Sequence, residues 1–325
     1  MTRPHLRGMG IVIWSIMGWA YVPLSRPTRP QASFYSSPHL RYRKGGFGLL
    51  IQVTLTPSEG KRLIGRAIAH MDVVQKALRD GIIIVATSTT TGYVLEELIG
   101  KRIEEKGMFT AGVITARGCC TTDPKGRYLH HVIEGGKVTE MQTGELPKVL
   151  SRMGPGDVFI KGANAIDPFG AAAIFLGGAG GGTIGTSWGY ITSLGVKMII
   201  AAGLEKLVPC SLADVARRTG VKAVDRSLGM PVGMMIVEGD IVTEMEAINI
   251  LTGAVATPIG GGGVDGGEGS RTFIIEGDEK AVTAAYELLK GIKGEPPVKT
   301  RTRSCEGCDA NCEYRKLGSP GKRGP

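Results

Sequence analysis

From Ile51 to Lys290 the chain alternates short unbroken apolar runs with stretches whose apolar residues fall at helical spacing. Thr56-Pro-Ser-Glu59 predicts a helix start, with Thr56 as the cap, Pro57 in the first turn and Glu59 completing a capping box. Leu63, Ile64, Ala67, Ile68 and Met71 follow on one face, Val73–Leu78 continues helical, and Gly81 ends it. Ile82–Ala86 is a continuous apolar run, the pattern of a strand covered on both faces. A helix at Tyr93–Ile99 comes next. Strands are expected at Ala111–Thr115, Val158–Lys161 and Met198–Ala202, and a helix at Leu212–Thr219. This βαβ rhythm predicts an α/β fold on a doubly wound, mostly parallel sheet. Tyr128–Ile133 and Lys137–Met141, separated by Glu134-Gly-Gly136, predict an inserted hairpin.

After Asp225-Arg-Ser-Leu-Gly-Met-Pro231 the pattern changes. Met234–Val237 and Ile241–Thr243 read as strands, Glu244–Leu251 as helix, Arg271–Ile275 as strand, and Asp278 caps an amphipathic helix to Lys290. The pattern resembles a small ferredoxin-like α+β module of the kind seen in microcompartment shell and ACT domains, with Gly260–Gly269 as its long loop. The expected organisation is a basic irregular extension at 1–48, an α/β domain at 49–225, the α+β module at 226–292, and a linker with a Cys-rich tail at 293–325.

Two strands run straight into polar loops, Asp80–Thr91 and Gly156–Pro168. In an open parallel sheet ligands bind at the carboxyl ends of the strands, so these loops are the candidate site. Thr87, Ser88, Thr89 and Thr90 offer hydroxyls and backbone N–H groups at a helix N-terminus, a seat for phosphate or carboxylate; residues of this type are also ordinary N-caps. In the second loop Lys161 is expected to stabilise charge, Gly162 to line the ligand, and Asn164 and Asp167 to recognise hydroxyls. Asp167 is the best candidate base because it is the one carboxylate in Lys161–Pro168. Gly180, Gly181, Gly182 and Thr183 let an anionic group approach the backbone, or serve close helix–sheet packing. That run matches neither a P-loop nor a dinucleotide fingerprint.

Thr87-Ser-Thr-Thr90, Lys161-Gly-Ala-Asn-Ala-Ile-Asp-Pro168 and Leu176-Gly-Gly-Ala-Gly-Gly-Gly-Thr183 resemble, in order and spacing, three motifs of one superfamily. It joins ribose-5-phosphate isomerase, glucosamine-6-phosphate deaminase, the sugar-sensing half of DeoR-type repressors and the CoA transferases. The resemblance covers Ile82 to Pro209 and implies a place to bind a small phosphorylated or acyl, possibly CoA-linked, metabolite. The chain also departs from the isomerase pattern. Asn164 and Ala165 replace acids, the Lys before the glycine run is missing, and Trp188 with Gly189 stands where a helix Glu is expected. Aldose–ketose isomerisation needs a carboxylate base, so these losses argue against it. CoA transferases use a Glu nucleophile, but Glu205 does not sit in their motif and reads as a solvated loop charge. The expectation is an enzyme or enzyme-derived protein; the alternative is a non-catalytic metabolite sensor with a metal-binding tail.

Net charge is +9, but residues 1–48 hold +7 and residues 293–325 hold +4, leaving −2 on the body. A nucleic-acid surface belongs on the folded body, so no nucleic-acid partner is expected. The apolar run Gly8–Val22 is short and broken by glycine, which argues against a spanning helix and leaves 1–48 read as a spurious or dispensable extension. A cytoplasmic homo-oligomer is expected. Cys305, Cys308 and Cys312 place three soft ligands within eight residues, enough to grip zinc or an iron–sulfur cluster; Cys119, Cys120, Cys210, His130 or a partner subunit can complete the set. His130 and His131 otherwise read as surface residues of the hairpin.

Overall fold

The computed structural model describes residues 48–314, so the basic extension, apart from Gly48, and residues 315–325 lie outside the described residues. In chain order the elements are β1 (Leu50–Leu55), α1 (Pro57–His70), α2 (Asp72–Asp80), β2 (Ile82–Val85), α3 (Thr91–Ile99), β3 (Gly112–Thr115), β4 (Gly118–Thr121), β5 (His130–Glu134), β6 (Lys137–Met141) and α4 (Leu146–Leu150). They continue with β7 (Val158–Gly162), β8 (Ala165–Ile166), β9 (Ala172–Leu176), α5 (Gly182–Leu194), β10 (Lys197–Ala201) and α6 (Leu212–Ala216). The last are β11 (Gly233–Val237), β12 (Asp240–Val242), α7 (Glu244–Thr252), β13 (Val255–Gly262), β14 (Ser270–Glu276) and α8 (Glu279–Lys290).

The fold is mixed α/β around a six-stranded sheet in the order β12-β10-β7-β2-β5-β6. β2, β7, β10 and β12 are parallel, and the expected hairpin forms as β5–β6 and is joined antiparallel to β2. Ile83, Ile84, Val85, Phe159, Ile160, Ile199 and Ile200 are all fully buried, which is why these strands read as unbroken apolar runs. The four parallel strands succeed one another in one direction across the sheet. In chain order the sheet grows from β2 to β5 and β6 on one side and to β7, β10 and β12 on the other.

The strands expected of a C-terminal module are distributed over three sheets. β12 extends the main sheet, β11 pairs with β9, and β13–β14 is completed by β1 from the start of the domain, in register from Leu50–Glu276 to Leu55–Arg271. The physical reason is edge satisfaction: β14 has a free edge that a hairpin alone cannot cover, and β1 supplies the missing hydrogen bonds. β3 likewise forms a separate antiparallel ribbon with β4 and stays outside the main sheet.

Thr56 caps α1 as expected, its hydroxyl accepting from Glu59 N while the Glu59 carboxylate accepts from Thr56 N at 2.8 Å. Such a cap contributes about 1 kcal/mol. α1 also carries Arg62, which is buried against Glu96 at 2.7 Å, Glu97 at 3.2 Å and Glu295 at 3.0 Å, with its guanidinium 4.6 Å from the Tyr93 ring centre. Glu295 belongs to the segment after α8, so this network straps the returning chain onto α1 and α3. Among the described residues no helix is long and apolar enough to cross a membrane.

Candidate functional site

The carboxyl ends of β2, β7 and β10 open into one cleft of about 890 Å³, within the range of small-molecule sites. The β3–β4 ribbon and the Gly177–Thr183 loop form its other walls. Each of these three strands delivers a polar loop there: Thr87–Thr89 after β2, Lys161–Ala165 at the end of β7, and Glu205–Val208 after β10.

The first two loops are joined directly. Lys161 Nζ donates to the Thr87 carbonyl at 2.8 Å. Gly162 lies so close to Ser88 that a Cβ there would collide with its hydroxyl, so the approach of β7 to the Thr/Ser loop requires glycine. Ser88 also does the work of a cap, its hydroxyl accepting from Thr91 N at 3.0 Å. Asn164 Oδ1 accepts from Phe175 N at 2.9 Å, tying its loop to β9. In the glycine loop Gly180, Gly181 and Gly182 have φ of 76°, 73° and 56°, a left-handed run that leads into the N-terminus of α5. Gly181, Gly182 and Thr183 line the cleft and Gly180 does not.

Two further expected site residues stand off the cleft wall. Thr90 is fully buried and off the cleft wall. Asp167 is only 1 % exposed; its Oδ1 accepts from Phe169 N and Ala171 N and its Oδ2 from Leu212 N, each at 2.9 Å. A carboxylate committed to three backbone amides organises a turn and docks α6. It does not offer a base to the cleft, and replacing it with Asn would set an amide N–H against the Leu212 N–H.

The groups missed in sequence are the charged ones. Glu205 is an ion-paired wall residue with only 16 % of its side chain exposed; Lys61 Nζ of α1 donates to its Oε1 at 2.6 Å. Its Oε2 is buried with no hydrogen-bond partner in the described protein. Lys61, Lys161 and Lys206 against Glu205 give the cleft three cations and one anion. Burial, aided by the neighbouring Lys206, lowers the Lys161 amine to about 8. Burial, with Lys61 close by, lowers Lys206 to about 8 as well, although Glu205 opposes the change. Behind the wall, burial and the Glu205 charge push Glu244 up to about 7. Although burial works against it, Lys61 and Lys206 hold the Glu205 carboxyl below the usual range. The two carboxylates are thus driven apart, Glu244 upward and Glu205 downward. The one clue in the sequence was position, since Gly203-Leu-Glu-Lys206 also follows a strand.

His130, expected on the surface, is 5 % exposed. Its Nδ1 accepts from Thr87 N at 3.1 Å, which places the ring proton on Nε2, within 2.9 Å of Thr143 Oγ1 and 3.2 Å of Thr183 Oγ1. The ring therefore spans from the Thr/Ser loop to the start of α5. Burial, then Lys161 and His131, lower its pKa to about 3, so it stays neutral. His131 is buried too, packed 5.6 Å from the Phe109 ring.

A second cavity, of about 400 Å³, lies between Tyr93, Glu104–Met108 and Glu295–Arg301, beside the Arg62 network. At the tail, no group of three or more His, Cys, Asp or Glu side chains among the described residues already stands in a coordinating arrangement. The chain matches no family model, no curated protein and no solved structure.

Proposed function

We propose that this protein is an enzyme that binds a small phosphorylated or acyl anion in the cleft and moves a proton on it. Lys161 and Lys206 neutralise the anion, Thr87, Ser88, Thr89 and Thr183 with the glycine loop orient it, and Glu205 accepts the proton. The observation that carries this reading is the convergence of three lysines and one ionised carboxylate at the carboxyl edge of the sheet, with two amines lowered to about 8. Groups displaced in this way gather at functional sites because catalysis needs them near neutrality. The resemblance of the three loop motifs to the sugar-phosphate isomerase and CoA transferase superfamily supports the substrate class. The absent isomerase acids favour a reaction other than aldose–ketose isomerisation.

The lysines set a pH dependence. An anion bound between them raises both pKa values, so above about 8 each binding event must take up protons. Affinity is expected to be flat below about pH 8 and to weaken above it by up to about tenfold per pH unit for each lysine recharged. Calorimetric titration across that range checks this; affinity unchanged up to about pH 10 would exclude the lysines from the contact. Identification of the ligand comes from incubating the purified chain with a metabolite extract and following it by mass spectrometry. Consumption of an anionic metabolite with appearance of a product supports the enzyme. Retention without turnover would make the protein a metabolite sensor instead.

A further inference from the structure

Five of the chain's six cysteines, Cys119, Cys120, Cys305, Cys308 and Cys312, line one small cavity of about 40 Å³. The tail that carries three of them is docked. Arg303 N donates to Thr121 O at 3.0 Å, Asp123 N donates to Arg301 O at 2.9 Å, and Thr302 bridges to Thr122, so the tail runs beside β4. At its far end Glu313 N donates to Ser227 O at 2.8 Å. Segments almost 200 residues apart in sequence are thereby held around thiols. Two sulfurs already receive donors: Gly229 N–H points at Cys312 Sγ at 3.1 Å, and Arg117 Nη1 lies 3.5 Å from Cys305 Sγ. Donors aimed at sulfur favour the thiolate and are the usual outer partners of metal-bound cysteines.

We propose that Cys119, Cys305, Cys308 and Cys312 form a tetrathiolate site for a soft metal, closed by docking of the tail on the β3–β4 ribbon. Four thiolates suit zinc or an iron–sulfur cluster and few other occupants. Cys119 and Cys120 both border the cavity, and a tetrathiolate set needs one of them beside the three tail cysteines. Cys119 is the choice because its carbonyl accepts from Met230 N at 2.7 Å, which fixes it beside Gly229 and hence beside Cys312. Binding of a divalent ion replaces four S–H protons, released to solvent, with four metal–sulfur bonds and no change of oxidation state. An iron–sulfur cluster needs iron and sulfide supplied from outside. The cysteine side chains must turn inward to coordinate.

The site shares Cys119, Cys120, Thr121 and Met230 with the wall of the ligand cleft, so metal binding would stiffen that wall. The test uses the full chain purified without oxygen. Elemental analysis is expected to find close to one equivalent of zinc, or iron and acid-labile sulfide with broad visible absorption; the two patterns tell the occupants apart. Alkylation counted by mass spectrometry should find Cys119, Cys305, Cys308 and Cys312 protected, with Cys120 and Cys210 reactive. Cys119→Ser and Cys308→Ser should each weaken metal binding at least tenfold, and Cys210→Ser should leave it unchanged. Metal-free protein whose thiols give no tetrathiolate spectrum with added cobalt(II) would overturn the proposal, as would full protection of Cys120 with Cys119 left reactive. The alkylation pattern needs no variant, so it decides the matter even where a substitution disturbs folding.

Discussion

Glu205→Gln is expected to lower kcat about a thousandfold, the usual scale for removal of a positioned general base, while the protein stays folded. Glutamine keeps the hydrogen bond from Lys61, now 2.6 Å from Oε1, and removes the charge that repels Glu244. The loss should fall mainly on kcat, with a smaller rise in KM, because the lysines that hold the anion are retained but Lys206 loses the neighbouring charge that keeps it protonated. A raised KM with kcat intact would assign Glu205 to binding alone. The wild-type pH profile should show activity rising as Glu205 ionises and falling above about 8 as the lysines lose their protons.

Arg62→Ala is expected to destabilise the fold by about 3–5 kcal/mol, because removing one partner of a buried ionic network strands the others. Glu96, Glu97 and Glu295 all lean on this guanidinium, and the Glu96 side chain is 4 % exposed with Lys106 as its other cation. A fall in Tm of roughly 6–15 °C corresponds to that loss in a domain of this size. Arg62→Lys should recover only part of it, since an ammonium cannot engage several carboxylates in a planar fork. Thermal melts of the two variants check the ranking. An Arg62→Ala melt within a degree of wild type would show that the strap on α1 contributes nothing.

The main sheet was legible because its strands are buried on both faces: Ile82–Val85, Val158–Gly162 and Lys197–Ala201 are apolar runs whatever lies around them. The capping box at Thr56–Glu59 was legible because it is local. β13 was not. It contains Pro258 and a register shift between Pro258 and Gly260, so its sequence reads as loop although it pairs along the whole of β14. The partnership of β1 with β14 was hidden for a different reason, since nothing in either strand encodes a pairing across more than 200 residues.

The site divides in the same way. Position at the carboxyl edge identified Thr87–Thr89, Lys161, Gly162, Asn164 and Thr183, all of which line the cleft. Residue type misled at Asp167, whose carboxylate is consumed by backbone amides, and at Glu205 and His130, whose burial depends on chain that returns from far away. Lys61 illustrates the limit: it lies on a helix 144 residues before the carboxylate it neutralises.

The central claim is that one anion sits between Lys161, Lys206 and the start of α5. The most direct measurement is a crystal structure of the full chain soaked with the metabolite retained in the mass-spectrometric screen. The account predicts its anionic group within hydrogen-bond distance of the Lys161 or Lys206 amine and of Thr183 or a Gly181–Gly182 amide, with the reacting carbon facing Glu205. Ligand density in the cavity beside Tyr93 and Glu295, with the large cleft empty, would contradict it.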